Sequence, residues 1–88
     1  MRKILIVEDD ILLNRTLGYN LASDGYEVTA AYNYKDAVSH LKAIEFDIAL
    51  LDINLPDGSG LDLCEEIRGR GQHTYIIFIT ANDKESDM

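Results

Sequence analysis

Phe46-Asp-Ile-Ala-Leu-Leu-Asp52, continued by Ile53-Asn54-Leu55-Pro56-Asp57-Gly58-Ser59-Gly60, is an apolar run that ends on a carboxylate and opens into a turn. Its aliphatic residues fit a strand covered on both faces, and the proline and glycines end it. A carboxylate delivered by a buried strand is costly to fold and useful for chemistry. Another run, Ile4-Leu-Ile-Val7, closes in the same way on Glu8-Asp9-Asp10. Separate strand ends therefore bring acids to one edge of a sheet.

Between and beyond these runs the pattern alternates. Asp9 or Asp10 caps a helix whose apolar positions Ile11, Leu13, Leu17, Leu21 and Ala22 recur at helical spacing. Ser23-Asp24-Gly25 stops it, with Gly25 suited to a left-handed backbone. Tyr26 to Tyr32 reads as a strand, and its alternation of Glu27 and Thr29 with Val28 and Ala30 suggests an edge. Asn33 caps a helix from Lys35 to Ile44 with Ala37, Leu41 and Ile44 on one face. After the strand from Phe46 to Leu51, a helix from Gly60 to Arg68 has Leu61, Cys64 and Ile67 at helical spacing, and Gly58 and Gly60 are expected to give the preceding loop unusual backbone angles.

Thr74 to Thr80 is a further strand without polar alternation, so it is expected to be buried on both faces with a neighbour on each side. Asn82-Asp-Lys-Glu85 matches a capping box, which predicts a helix beginning there. Strands and helices alternate β-α-β-α-β-α-β, so the fold class is α/β, a doubly wound parallel sheet. No later strand is present to flank Thr74 to Thr80, so the expectation is an incomplete domain or a second chain on that edge.

The bulk numbers narrow the function. A chain of 88 residues, 47% hydrophobic with one proline, suits a single small domain. Its 8 basic and 16 acidic residues, net charge -8, argue against nucleic acid or an anionic membrane as a partner of this segment. Cys64 is the only cysteine, which excludes an internal disulfide and a thiolate metal cage and suits a reducing compartment. The apolar stretch of Met1-Arg-Lys-Ile-Leu-Ile-Val is too short for a signal peptide, and none approaches the roughly 20 residues of a membrane span. The chain is expected to be soluble and cytoplasmic.

Ligands of an open α/β sheet bind beyond the carboxyl ends of its strands, where Glu8, Asp9, Asp52 and Thr80 fall. Carboxylates about 4 Å apart repel by roughly 4 kcal/mol at an effective dielectric near 20. A divalent cation or a raised pKa is required, and oxygen donors suit magnesium or manganese. Asp52 then becomes a candidate nucleophile toward a phosphoryl group, with the Thr80 hydroxyl and the Ala81 N–H as phosphate donors. Asp10 taken alone reads as a helix cap, but capping needs one acid and not the cluster. His40 and His73 lack partners at metal-ligand spacing, and Cys64 reads as core filling. Asp57-Gly58-Ser59-Gly60 lacks the glycine spacing of a dinucleotide site.

Lys3-Ile-Leu-Ile-Val-Glu-Asp-Asp10, Asp52-Ile-Asn-Leu-Pro-Asp-Gly-Ser-Gly60 and Ile79-Thr-Ala81, in this order and at these separations, resemble the receiver domain of two-component response regulators. The resemblance covers the whole chain and implies a flavodoxin-like fold, with the fifth strand and last helix of that family missing after Met88. It implies that a sensor histidine kinase donates a phosphoryl group to Asp52 in a magnesium-dependent reaction. Asp9 would ligate the metal directly, Glu8 through water, Asp52 as ligand and acceptor, and Asn54 through its backbone carbonyl. Thr80 would move toward the phosphate, and slow autodephosphorylation would reset the site. An output domain, expected to act in transcription, would lie beyond Met88, and the uncovered strand edge would recruit a second copy into a dimer or larger species. An aspartate-nucleophile phosphohydrolase is disfavoured because Asn54 stands where it would need a general acid, and a pseudo-receiver or interaction module is the remaining alternative.

Overall fold

Residues 1–79 are described in the computed structural model of the chain. Strand β1 (Lys3–Val7) leads into helix α1 (Ile11–Ser23), strand β2 (Glu27–Ala31), helix α2 (Tyr34–Ala43) and strand β3 (Ile48–Asp52). A short hairpin of β4 (Asn54–Leu55) and β5 (Gly58–Ser59) precedes helix α3 (Gly60–Gly69) and strand β6 (Tyr75–Ile79). The main sheet is parallel in the order β2-β1-β3-β6. This is the doubly wound, flavodoxin-like arrangement, whose strand order reverses between β1 and β3. As the alternation in β2 suggests, that strand lies at an edge.

Local chemistry explains the element ends. Asp10 caps α1 by accepting from the Leu13 N–H at 3.1 Å, and Asn33 caps α2 by accepting from the Asp36 N–H at 2.7 Å. Ser59 caps α3 through the Leu61 N–H at 3.1 Å. Past the end of α1, Gly25 takes φ 98°, the left-handed conformation that a Cβ disfavours, and its N–H closes on the Ala22 carbonyl at 3.0 Å.

The core lies mainly between the sheet and the α2–α3 layer. Leu5, Val7, Ala49 and Leu51 project from β1 and β3 onto Ala37, Leu41, Leu63 and Ile67, with Phe46 and Leu55 completing the cluster. Full burial of one such aliphatic side chain contributes about 1.5–3 kcal/mol. Ile4 and Ile6 alternate to the opposite face and are equally buried.

Several expectations need correction. In α1, Ile11 is 58% exposed, whereas Asn14 is fully buried. In α3, Leu61 is 54% exposed and Leu63 takes the inward position, paired at helical spacing with Ile67. Strand β6 is not buried on both faces: Tyr75, Ile77 and Phe78 are exposed, and β3 is its one strand neighbour among the described residues. Thr80, Ala81 and the capping box at Asn82 to Glu85 lie outside the described residues.

Candidate functional site

The strand-order reversal places the ends of β1 and β3 side by side. Val7 pairs with Leu51, so Glu8 and Asp9 leave β1 beside Asp52, the last residue of β3. Carboxylate oxygens of Glu8, Asp9 and Asp52 lie within 4.8 Å of one another. Glu8 is 2% exposed and Asp52 6%, whereas Asp9 is open to solvent. The cluster therefore has buried donors and an open side.

Each buried acid is anchored by a backbone N–H. Glu8 Oε2 accepts from Asp10 at 2.9 Å, and Asp52 Oδ1 accepts from Asn54 at 3.2 Å. Glu8 Oε1 is buried and has no hydrogen-bond partner. Burial, reinforced by the negative charges of Asp52 and Asp9, pushes the Glu8 carboxyl up from 4.5 to about 7, against the lowering pull of the Asp10 N–H. Three carboxylates this close, two of them buried, are compatible with a bound cation that would offset their mutual repulsion. The all-oxygen donor set fits a hard ion such as magnesium, which takes one or two carboxylates and keeps several waters.

The loop after Asp52 is shaped by close approach, not by unusual backbone angles. Gly58 and Gly60 both have ordinary φ, contrary to expectation, and among the described residues only Gly25 and Gly71 are left-handed. A Cβ on Gly60 would lie 2.3 Å from the Asp52 carbonyl oxygen, and one on Gly58 would lie 2.7 Å from the Tyr34 ring. The bare backbones let the loop fold tightly over the end of β3. Leu55 enters the core, and the Gly60 N–H donates to the Ile53 oxygen at 2.9 Å. Asn54 itself is exposed beside the cluster.

The structure thus brings Glu8, Asp9 and Asp52 together at the strand ends, and Asn54 lies next to them through its N–H on Asp52. Ile79 pairs with Asp52, and Thr80 is the next residue in the chain. Missed from the sequence were Asn14, which bonds the Glu8 backbone, and Asp57, which bonds the start of α2. A polar residue amid the apolar positions of α1 was the available signal for Asn14; Asp57 had none.

The family model of the response regulator receiver domain matches residues 4–88. The chain belongs to the response regulator receiver domain family. This receiver is 34% identical to the response regulator TrrA from Thermotoga maritima, solved in complex with Mg(2+)-BeF, covering 100% of this chain and 77% of that one at a TM-score of 0.85. It is 36% identical to the non-phosphorylated HemR receiver domain from Leptospira biflexa, over 98% of this chain and 71% of that one, at a TM-score of 0.86. A structure of histidine kinase ThkA in complex with TrrA matches at 34% identity and a TM-score of 0.83, over 92% of this chain and 70% of that one. The receiver is a signalling domain of two-component systems. Among the described residues no helix is long and apolar enough to cross a membrane.

Proposed function

We propose that this receiver is a phosphoacceptor switch in which Asp52 takes a phosphoryl group from a phosphohistidine of a sensor histidine kinase, with magnesium or manganese as cofactor. An Asp52 carboxylate oxygen attacks phosphorus, the O–P bond forms as the donor N–P bond breaks, and the electron pair leaves on the imidazole nitrogen, which takes up a proton. Glu8, Asp9, Asp52 and the Asn54 carbonyl would hold the cation. When bound, the cation neutralises charge on the transferring oxygens.

The observation that carries this reading is the convergence of the Glu8, Asp9 and Asp52 carboxylates within 4.8 Å of one another, two of them buried, at the strand ends. Among the described residues the sole salt bridge is the Arg70–Glu66 pair, which does not involve the cluster. The Asp52 carboxylate sits at the sheet's reversal point, with the N–H of Asn54 orienting one oxygen and the open Asp9 side admitting a donor. TrrA, a similar receiver, has been solved both with Mg(2+)-BeF and with a histidine kinase, which supports the same cofactor and partner here.

Further parts of the reading follow from the family resemblance. The Thr80 hydroxyl and the Ala81 N–H contact the phosphate, and Thr80 transmits its arrival to an output domain acting in the cytoplasm, in transcription. Slow autodephosphorylation returns Asp52 to its free state. Self-association through the exposed β6 edge is a separate part of the proposal, and light scattering of the 88-residue chain tests it, a stable monomer counting against it.

The central experiment incubates the protein with magnesium and a small phosphodonor and weighs it by mass spectrometry. One added phosphoryl group is expected, absent from Asp52→Asn and from samples stripped of divalent cations. Equal uptake by Asp52→Asn would reject the assignment.

A further inference from the structure

Asp57 lies at the turn of the β4–β5 hairpin, yet its carboxylate is spent on a helix 22 and 23 residues earlier in the chain. Its Oδ1 accepts from the Tyr34 N–H at 2.7 Å and its Oδ2 from the Lys35 N–H at 3.1 Å, the first residues of α2. Asn33 takes the Asp36 N–H of the same helix end. The free donors at the start of α2 are thus shared between a local cap and a distant acid, which the helix dipole and the Lys35 charge also favour. These backbone bonds hold the Asp57 carboxyl below its usual range. Next to it, Gly58 lies against the Tyr34 ring so closely that a Cβ would come within 2.7 Å.

Resting on the reading of Asp52 as the metal and phosphoryl site, we propose that Asp57 is a positioning residue: it latches the loop of residues 53–59 to the start of α2 and so fixes Asn54 beside Asp52. The hairpin transmits the restraint. Asn54 pairs with Ser59 and Leu55 with Gly58, so the Asp57 turn and the Asn54 end move as one piece. Leu55 pins one side in the core, the Gly60 N–H closes the base on the Ile53 oxygen, and Asp57 ties down the tip. The Asn54 N–H at one Asp52 oxygen is the contact that this restraint keeps aligned.

The simpler role, capping α2, predicts something different. Asn33→Ala also removes a cap from α2 but leaves the loop attached. In the full chain, Asp57→Ala is expected to weaken magnesium binding about tenfold, the low end of effects seen when groups behind metal ligands are removed. Magnesium binding is read from the amide shifts of Asp52 and Asn54. The same variant is expected to speed hydrogen exchange at the Gly60 and Asn54 amides, while Asn33→Ala changes neither at a similar loss in urea midpoint. Asp57→Asn, which keeps one acceptor, is expected to recover part of both losses.

Magnesium affinity and loop exchange in Asp57→Ala equal to the parent's would overturn the latch, as would equal changes in Asn33→Ala. If the parent binds no magnesium, the reading of the site falls, and the exchange measurement alone decides whether Asp57 holds the loop.

Discussion

Asn14 donates from one amide nitrogen to the backbone oxygens of Glu8 and Ala31, at 3.0 Å each, from a position with no exposure to solvent. The Ala31 oxygen also accepts from the Glu8 N–H at 3.1 Å. One side chain of α1 thus holds together the ends of β1 and β2 at the residue that supplies the most buried acid of the site.

Asn14→Ala is expected to cost about 2–4 kcal/mol, since it leaves the Glu8 oxygen without a buried donor and opens a cavity. Urea unfolding at constant m-value measures this loss. A cost below about 0.5 kcal/mol, the range of ordinary surface changes, would show that the clamp contributes little.

The Glu8 carboxyl, raised from 4.5 to about 7, gives the metal-free protein a defined pH response. The folded state binds this proton more tightly than the unfolded chain, so its contribution to stability is fully present below pH 4.5 and is lost as pH rises through about 7. Magnesium competes with that proton, so its affinity is expected to rise over the same window and level off above it. Glu8→Gln is expected to flatten both curves and to weaken magnesium binding. Denaturation midpoints and magnesium titrations at a series of pH values check the sign.

Asp52→Asn keeps an acceptor for the Asn54 N–H while removing one charge from the cluster. Without magnesium it is expected to be more stable than the parent by about 1–3 kcal/mol, a discounted share of the repulsion between close carboxylates. Saturating magnesium should shrink the difference. Thermal unfolding with and without the metal provides the comparison.

Much of the fold and the acid cluster was legible because the signals are local or periodic. Ile4 to Val7 and Ile48 to Leu51 are aliphatic runs ending on acids, and Asp10, Asn33 and Gly25 each satisfy or strain their own neighbouring backbone. The inward faces of α1 and α3 were less legible. Leu61, Leu63 and Cys64 offer two overlapping helical stripes, and the packing of Leu63 under the sheet selects between them. Asn14 stands out as a polar residue amid the apolar positions of α1, but its partners follow only from the strand ends that supply oxygens for its amide. Asp57 had no local signal at all, since its partners at Tyr34 and Lys35 are brought to it only by the packing of α2 beside the loop.

The glycines of α3 provide a paired test of how tightly the site is built. A Cβ at Gly60 would meet the Asp52 carbonyl oxygen at 2.3 Å, and because that neighbour is backbone, relief requires moving the end of β3. A Cβ at Gly69, at the other end of the same helix, meets nothing within 4 Å. Gly60→Ala is therefore expected to cost about 1–3 kcal/mol or more and to weaken magnesium binding by displacing Asp52. Gly69→Ala is expected to stabilise by roughly 0.4–1 kcal/mol through the unfolded chain, with magnesium binding unchanged. Urea midpoints and magnesium titrations of both variants separate the effects. Gly60→Ala with parental stability and affinity would mean that the loop has slack over Asp52, against the close approach seen there.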